Sequence, residues 1–339
     1  MRAPLSAPIG EDPAFLAMLD KVRRLAPLNR PVLVVGERGV GKELASERLH
    51  YLSGRWDGPV VKVNCAALPE TLLESELFGH EAGAFTGAQK RRAGRFERAH
   101  RGTLILDEIA SASLQVQEKL LRAIEYGDFE RVGGVEQVSV DVRVIACANV
   151  DLPALARQGR FRADLLDRLA FDVVTVPALR QRPEDIPVLA HHFALRMTQE
   201  LGRSVFAGFD PAVLALLRGH PWPGNVRELK NVVERAVYQT PEEQPVAAVV
   251  FDPFAAEGRP GETLGDPPPA EADPAGTVPQ PAPAAPAGPL PFTDAVAAYE
   301  RQLLEAALRA CDNQQTKGAE WLGLGYHQFR RLLKKHGVG

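Results

Sequence analysis

The chain has 339 residues, 45% of them hydrophobic and 24% charged, which is ordinary for a soluble globular protein with more than one domain. Its formal net charge is -3, so any DNA-binding surface must be a local patch. No apolar run approaches the ~18 residues that a membrane helix needs, and the N-terminus has no signal-peptide core. We therefore expect a cytoplasmic protein without membrane insertion. The histidines and cysteines show no metal-ligand spacing, so no structural zinc is expected.

Short aliphatic runs in the first half of the chain predict buried strands. They lie at residues 31–35, 60–64, 103–107, 142–149 and 171–176. These runs are too apolar for a sheet with one solvated face, and helical patterns separate them. The pattern therefore predicts an α/β fold with a parallel sheet covered by helices on both faces.

The domain organisation follows from changes in composition along the chain. We predict an α/β ATPase subdomain at residues 8–176 and a helical lid subdomain at 177–250. Residues 251–291 are rich in proline and alanine and predict a flexible linker, because such a stretch cannot bury a core. Helical periodicity returns at residues 292–339, which we predict to be a small DNA-binding domain.

A glycine-rich loop follows the first predicted strand and leads into a helical pattern. Strand, loop, lysine and helix in this order predict a phosphate site, because backbone N–H groups and the helix N-terminus face the phosphate oxygens. Lys42 would reach the β- and γ-phosphates, but Glu43 replaces the usual Ser or Thr ligand of Mg²⁺. The residues predicted to hold the nucleotide here are Gly36, Glu37, Gly39, Val40, Gly41, Lys42 and Glu43.

An acidic pair ends the third predicted strand. Asp107 is placed to hold Mg²⁺, and Glu108 to polarise the water that attacks ATP. Such a pair can also simply cap the next helix. The lysine loop and the acidic pair, in this order on consecutive strand–helix units, favour ATP with Mg²⁺ as the cofactor.

Residues 83–88 read GAFTGA, and this run resembles the signature of bacterial enhancer-binding proteins, the AAA+ activators of sigma-54 RNA polymerase. The chain resembles the same family in the strings GERGVGKE, NCAAL, FRADLLDRL and WPGNVREL. The family has Gly-Lys-Glu at this point of its phosphate loop, which accounts for Glu43. The resemblance covers residues 8–240 and the C-terminal domain. It implies an AAA+ P-loop ATPase that assembles as a homo-oligomer, with a hexamer expected, and opens promoter complexes of sigma-54 RNA polymerase. Within the family the chain is most similar to activators of phage shock operons.

The resemblance also implies roles for single residues around the nucleotide. Asn64 matches the residue that holds Glu108 away from water, and an asparagine amide can donate to that carboxylate. Asn149 matches the sensor I position, although Ala148 stands where the family usually has Thr.

Three arginines match family positions that act on the phosphates. Arg162 and Arg168 match the arginine fingers that reach the γ-phosphate of a neighbouring subunit, and Arg227 matches sensor II in the lid. Each of them could instead form an ordinary surface ion pair.

The GAFTGA loop is the predicted contact with sigma-54. Its residues are Gly83, Ala84, Phe85, Thr86, Gly87 and Ala88. The glycines permit a tight and mobile turn, and an exposed Phe85 needs a partner. The alternative is that Phe85 packs into the core. Residues 126–134 are the candidate for a second loop beside it.

The C-terminal domain has the outline of a helix-turn-helix of the Fis type, with a turn at residues 323–325. Over residues 309–336 six basic residues outnumber two acidic ones, so the net charge is +4, which suits double-stranded DNA. The candidate DNA contacts are His327, Gln328, Arg330, Arg331 and Lys334. The preceding helix, residues 295–310, is the candidate dimerisation element.

Other functions share part of this pattern. A replication-type AAA+ ATPase shares the phosphate loop but does not require a GAFTGA sequence. A DNA-binding regulator with an inactive ATPase fold does not require Lys42 and Glu108. Within the family, the alternative is another sigma-54 activator without its sensor domain. With no sensor domain in the sequence, we expect control by a separate inhibitor similar to phage shock protein A. Trp56 is either its docking point or a core residue.

Overall fold

The structure is a computed structural model that describes residues 7–85, 87–253, 300–301, 303–309, 311 and 314–337, the side chains of residues 318, 320, 321 and 327 excepted. The chain falls into two compact units, Met1–Pro260 and Gly261–Gly339, and each is treated by itself. Most of the predicted linker and Thr86 lie outside the described residues.

The strands of the first unit alternate with helices along the chain. The strands are β1 (Val32–Val35), β2 (Val60–Asn64), β3 (Gly79–His80), β4 (Arg92–Ala93), β5 (Thr103–Asp107), β6 (Asp128–Glu130), β7 (Gln137–Ser139), β8 (Arg143–Ala148) and β9 (Val173–Thr175). The helices are α1 (Pro13–Leu25), α2 (Lys42–Tyr51), α3 (Glu70–Phe78), α4 (Arg95–Arg98), α5 (Leu114–Glu125), α6 (Leu152–Arg157), α7 (Ala163–Leu169), α8 (Asp185–Glu200), α9 (Pro211–Gly219) and α10 (Asn225–Gln239).

The predicted parallel sheet is confirmed, and its order is β2-β5-β8-β1-β9. Alternate residues of its strands face two different cores. Leu104, Leu106 and Ala146 pack on the side of α3 and α5. Ile105 and Ile145 pack on the side of α1 and α2. Because side chains alternate along a strand, both faces of the sheet are covered, as the continuous apolar runs predicted.

Two short antiparallel hairpins were not predicted from the sequence. Strand β3 pairs with β4, and β6 pairs with β7. Their bases share an aromatic cluster in which the rings of Phe78 and Phe96 stack at 5.6 Å and that of Phe129 lies 5.5 Å from Phe78. All three phenylalanines are buried. The cluster fixes the bases of the loops that these hairpins present.

The predicted helical lid is formed by α8, α9 and α10, which share their own core. The largest side chain in that core is Trp222, which is fully buried and donates from Nε1 to the carbonyl of Leu217 at 2.8 Å. A 3-10 turn, Leu179–Gln181, joins the last strand of the sheet to the lid. It brings the lid to the phosphate loop.

The second unit has the predicted helix-turn-helix outline. Helix α11 (Gln315–Trp321) is followed by a turn and by α12 (Tyr326–His336), and residues 303–309 before them are helical. Phe329 and Leu333 of α12 are buried against Leu304 and Ala307. In the portion of the chain that the structure describes, no helix is both long and apolar enough to cross a membrane.

Candidate nucleotide site

The phosphate loop (residues 36–41) connects the end of β1 to the start of α2. Gly39 and Gly41 have positive φ values of 76 and 101°, which residues with a side chain rarely adopt. A Cβ at Gly39 would also overlap the carbonyl oxygen of Gly224 in the lid. Lys42 Nζ donates to the carbonyls of Gly36 at 2.9 Å and Glu37 at 3.0 Å. The lysine therefore lies folded over the loop, where phosphate oxygens would bind.

The acidic pair lies at the carboxyl end of β5, two strands away in the sheet. Asp107 Oδ1 accepts a hydrogen bond from the N–H of Glu108 at 3.0 Å. Glu108 has a φ of 50°, a left-handed conformation that costs free energy for a residue other than glycine. Its carboxylate lies 4.0 Å from the Arg38 guanidinium. This backbone turn directs the two carboxylates into one space.

A cavity of about 380 Å³ joins the phosphate loop to the acidic pair. It is lined by Arg38, Gly39, Gly41, Lys42, Glu43, Lys62, Val63, Asn64, Ile105, Asp107, Glu108, Cys147 and Arg227. Burial lowers the pKa of Lys42, and the carboxylates of Asp107 and Glu108 oppose that effect. The structure thus brings together residues that were predicted from four separate parts of the sequence.

Glu43 lines the cavity, but its carboxylate is held by a lysine that was not predicted. Lys62 Nζ donates to Glu43 Oε1 at 2.6 Å and also to Glu47. Burial alone would lower the pKa of Lys62, but the two glutamates raise it above its usual value. The Glu43 carboxylate is therefore engaged with Lys62, and among the carboxylates that line the cavity those of Asp107 and Glu108 are left for a metal ion.

The two predicted asparagines lie at the carboxyl ends of β2 and β8, the strands on either side of β5. Asn64 is in register with Asp107 across β2 and β5, and its Oδ1 accepts from the N–H of Ala66 at 2.8 Å. Asn64 is exposed and lines the cavity. Asn149 follows β8, is half-buried and does not line the cavity. The carbonyl of Ala148, beside it, accepts from the N–H of Gly36 at 3.2 Å.

Arg162 directly precedes α7 and Arg168 lies within it, and neither lines the cavity. Arg162 pairs with Asp164 at 2.8 Å and Glu118 at 3.5 Å, and Arg168 pairs with Glu125. Neither arginine belongs to the described residues that line the cavity. Both are partly exposed, so within one chain they do not complete the nucleotide site.

The GAFTGA loop (residues 83–88) connects β3 to β4. Gly83 and Gly87 have positive φ, and the N–H of Gly83 donates to the carbonyl of Ala88 at 2.7 Å. Phe85 is 40% exposed, and its ring makes an edge contact with that of His80, with 5.0 Å between centroids. The alternative that Phe85 packs into the core is therefore wrong.

The 126–134 loop lies beside the GAFTGA loop, and a buried arginine joins them. Arg131 is 5% exposed and donates to Glu97 at 2.6 Å and to Glu81 at 3.2 Å. Burial alone would raise the pKa of Glu97, but hydrogen bonds from Arg131 and from the N–H of Gly94 lower it. Arg131 was not singled out in the sequence, where a basic residue in a loop indicates nothing specific.

The candidate DNA contacts of the second unit lie on one helix. Gln328, Arg330, Arg331 and Lys334 of α12 are exposed, opposite the buried face of the helix. The side chain of His327 lies outside the described residues. An exposed basic face on the second helix is what docking in a DNA groove requires.

Comparison with known proteins gives matches along the chain. The family model of the Sigma-54 interaction domain matches residues 8–175, that of the AAA+ ATPase lid domain residues 180–264, and that of the Bacterial regulatory protein, Fis family, residues 295–336. The Psp operon transcriptional activator of Escherichia coli (strain K12) is 51% identical over 97% of this chain and 98% of its own length. The regulatory protein AtoC of the same strain is 40% identical over 96% of this chain and 67% of its length.

Solved structures are similar as well. The crystal structure of NtrX from Brucella abortus in complex with ATP is 31% identical, with a TM-score of 0.67 over 98% of this chain and 70% of that one. The form in complex with ADP is 33% identical, with the same TM-score and the same coverage.

Proposed function

We propose that this chain, which belongs to the family of sigma-54-dependent transcriptional activators, hydrolyses ATP in the 380 Å³ cavity to convert closed promoter complexes of sigma-54 RNA polymerase to open ones. The chain is an AAA+ ATPase with a DNA-binding helix-turn-helix. The observation that carries the proposal is that Lys42, Asp107 and Glu108 line one cavity. The mechanism assigns each of them a step.

Lys42 binds the β- and γ-phosphates once its Nζ leaves the two loop carbonyls that it now contacts. Asp107 would hold Mg²⁺, which neutralises charge on the phosphate oxygens. Glu108 orients the attacking water and accepts its proton. The amide of Asn64 competes with that water for the Glu108 carboxylate and delays hydrolysis until α3 moves.

The site is completed by a neighbouring subunit. Arg162 and Arg168 are partly exposed and do not line the cavity of their own chain. On leaving their ion pairs with Asp164 and Glu125 they would reach the nucleotide of the next subunit in a ring, expected to be a hexamer. Hydrolysis then depends on assembly.

A subunit-mixing experiment tests this arrangement. Glu108→Gln subunits cannot hydrolyse ATP themselves but carry intact arginines, and Arg168→Ala subunits have the reverse defect. Mixing the two inactive variants restores ATPase activity if the site is shared. A mixture of Glu108→Gln with Glu108→Ala is the matched control. No recovery in the first mixture shows that Arg168 acts within its own chain.

Nucleotide state is transmitted to the polymerase through one continuous segment. Asn64 ends β2, the next helix is α3, and β3 follows it directly and leads into the GAFTGA loop. A change at Asn64 therefore moves the base of the loop that bears Phe85. We propose that Phe85 and Thr86 contact sigma-54.

DNA binding by the second unit places the ring upstream of its promoter. We assign the contacts to Gln328, Arg330, Arg331 and Lys334 on the exposed face of α12. Gel-shift affinity for an upstream site should fall about tenfold in Arg331→Ala. Arg301→Ala, an exposed arginine of this unit outside the basic patch of residues 309–336, is the control.

The regulated operon is proposed from the similarity to the Psp operon transcriptional activator. The Psp operon activator of Escherichia coli matches nearly the full length of this chain, which supports control of a phage shock operon here. An inhibitor similar to phage shock protein A would dock at Trp56, which is 61% exposed and therefore not a core residue. Trp56→Ala should lose binding of that inhibitor and keep its ATPase activity, and unchanged binding contradicts the assignment.

A further inference from the structure

The lid contacts successive residues of the phosphate loop. Asn225 Nδ2 donates to the Glu37 carboxylate and to the carbonyl of Arg38, both at 3.0 Å. The carbonyl of Val40 accepts from Arg182 Nη2 at 2.9 Å. The phosphate loop is therefore held from the lid side at two backbone carbonyls, those of Arg38 and Val40, and at the side chain of Glu37.

Asn225 is the centre of this contact. It is fully buried and has a φ of 53°, a conformation that asparagine tolerates better than other residues with a side chain. Both polar atoms of its side chain are used, since Oδ1 also accepts from the N–H of Leu179 at 2.8 Å. The backbone of Asn225 is therefore strained, and its buried side chain has all of its polar atoms hydrogen-bonded. The surrounding residues fix its conformation.

Arg227 lies two residues further along α10, which begins at Asn225. Arg227 lines the nucleotide cavity, and Gly224 lies against Gly39 of the phosphate loop. The start of α10 is thus fixed to the loop that binds phosphate, and the fixed start determines where the Arg227 guanidinium lies.

We propose that Asn225 is a positioning residue of the ATPase: it holds the start of α10 against the phosphate loop and thereby places Arg227 over the nucleotide. The inference rests on the proposed function of the cavity. It assigns Asn225 no contact with ATP.

Two substitutions test the side chain without a change of backbone. Asn225→Gly keeps the positive φ and removes the amide. Asn225→Asp keeps the shape but places a second carboxylate beside Glu37. Each should raise the KM for ATP about tenfold with kcat changed less than about twofold, because a hydrogen bond to a charged group is lost. Glu37→Gln combined with Asn225→Asp exchanges the carboxylate and the amide, and should recover part of the KM.

A merely structural role makes a different prediction. Loss of folded protein lowers apparent kcat and leaves KM unchanged, so an unchanged KM in both variants, with or without a lower melting temperature, overturns the inference.

Action through Arg227 is tested by a double-mutant cycle. Asn225→Gly should raise KM much less in an Arg227→Ala background than in the wild type. Fully additive effects overturn the inference. The dissociation constant of ADP, measured by calorimetry in the same variants, separates the two proposals. Wild-type protein that binds ADP without hydrolysing ATP contradicts the proposed function. The ADP affinities of the variants still decide the role of Asn225 in that case.

Discussion

The phosphate loop and the GAFTGA loop are both glycine-containing turns after a strand, but their surroundings differ. The phosphate loop is held from outside by buried lid residues such as Asn225. The tip of the GAFTGA loop is held by hydrogen bonds within itself, and Phe85 is 40% exposed there. The loop proposed to bind the nucleotide is fixed in place, whereas the loop proposed to meet the polymerase exposes a surface for a partner.

The largest effect is expected at the fixed loop. Lys42→Ala removes the cation that faces the phosphates, so ATP binding, ATP hydrolysis and open-complex formation should all be lost. Calorimetry with ATP and a phosphate-release assay measure this. Glu108→Ala is the matched comparison and should bind ATP without turning it over. Retained turnover in Lys42→Ala means that the site lies elsewhere.

Next in size is a selective effect at the exposed loop. Phe85→Ala or Thr86→Ala should keep most of the ATPase activity and lose open-complex formation, since the contact with sigma-54 is removed and the cavity is not. Tyr238→Ala, an aromatic residue of the lid that is 64% exposed, is the control and should change neither. An equal loss of both activities in the loop variants contradicts the separation of roles.

A stability effect should appear at the base of the exposed loop. Arg131→Met leaves Glu97 without its buried cation and should lower the free energy of unfolding by about 3 kcal/mol. Urea denaturation measures it, with Arg122→Met, an exposed arginine of α5, as the control. A loss no larger than that of the control shows that Arg131 does not hold the two loops together.

The smallest effect concerns pH and the lid contact. Hydrogen bonds from Arg180 and Asn225 lower the pKa of Glu37 from 4.5 to about 2. The stability that this carboxylate contributes is present above pH 4.5 and is lost as the pH falls through about 2. The difference in unfolding free energy between wild type and Glu37→Gln should therefore shrink across that range. A difference in unfolding free energy that does not change with pH would show that the charge of Glu37 does not stabilise the lid contact.

The sequence predicted the elements that depend on local pattern. The five strands of the sheet were found because continuous apolar runs require burial on both faces. Lys42 was found because a glycine-rich loop and a helical pattern follow the first strand, and Asp107 and Glu108 because an acidic pair ends the third.

Contacts between distant segments were not predicted. Lys62, Arg131 and Asn225 act through partners that are far away in the chain, and a single polar residue gives no sign of its partner. Arg143 is the extreme case, since it is buried and donates to carbonyls at the ends of α1 and α2, including those of Ala26 at 2.6 Å and Leu49 at 3.1 Å. The string WPGNVREL did contain a signal for the backbone of Asn225, because asparagine tolerates a left-handed conformation better than other residues with a side chain.

The central claim is that ATP turnover in the cavity moves an exposed loop against sigma-54. It is tested most directly by permanganate footprinting of a sigma-54 promoter with purified polymerase, this protein and ATP. The account predicts melted DNA at the start site with ATP, and none with ADP or with Phe85→Ala. Normal ATP consumption by the wild-type protein without promoter melting would contradict it.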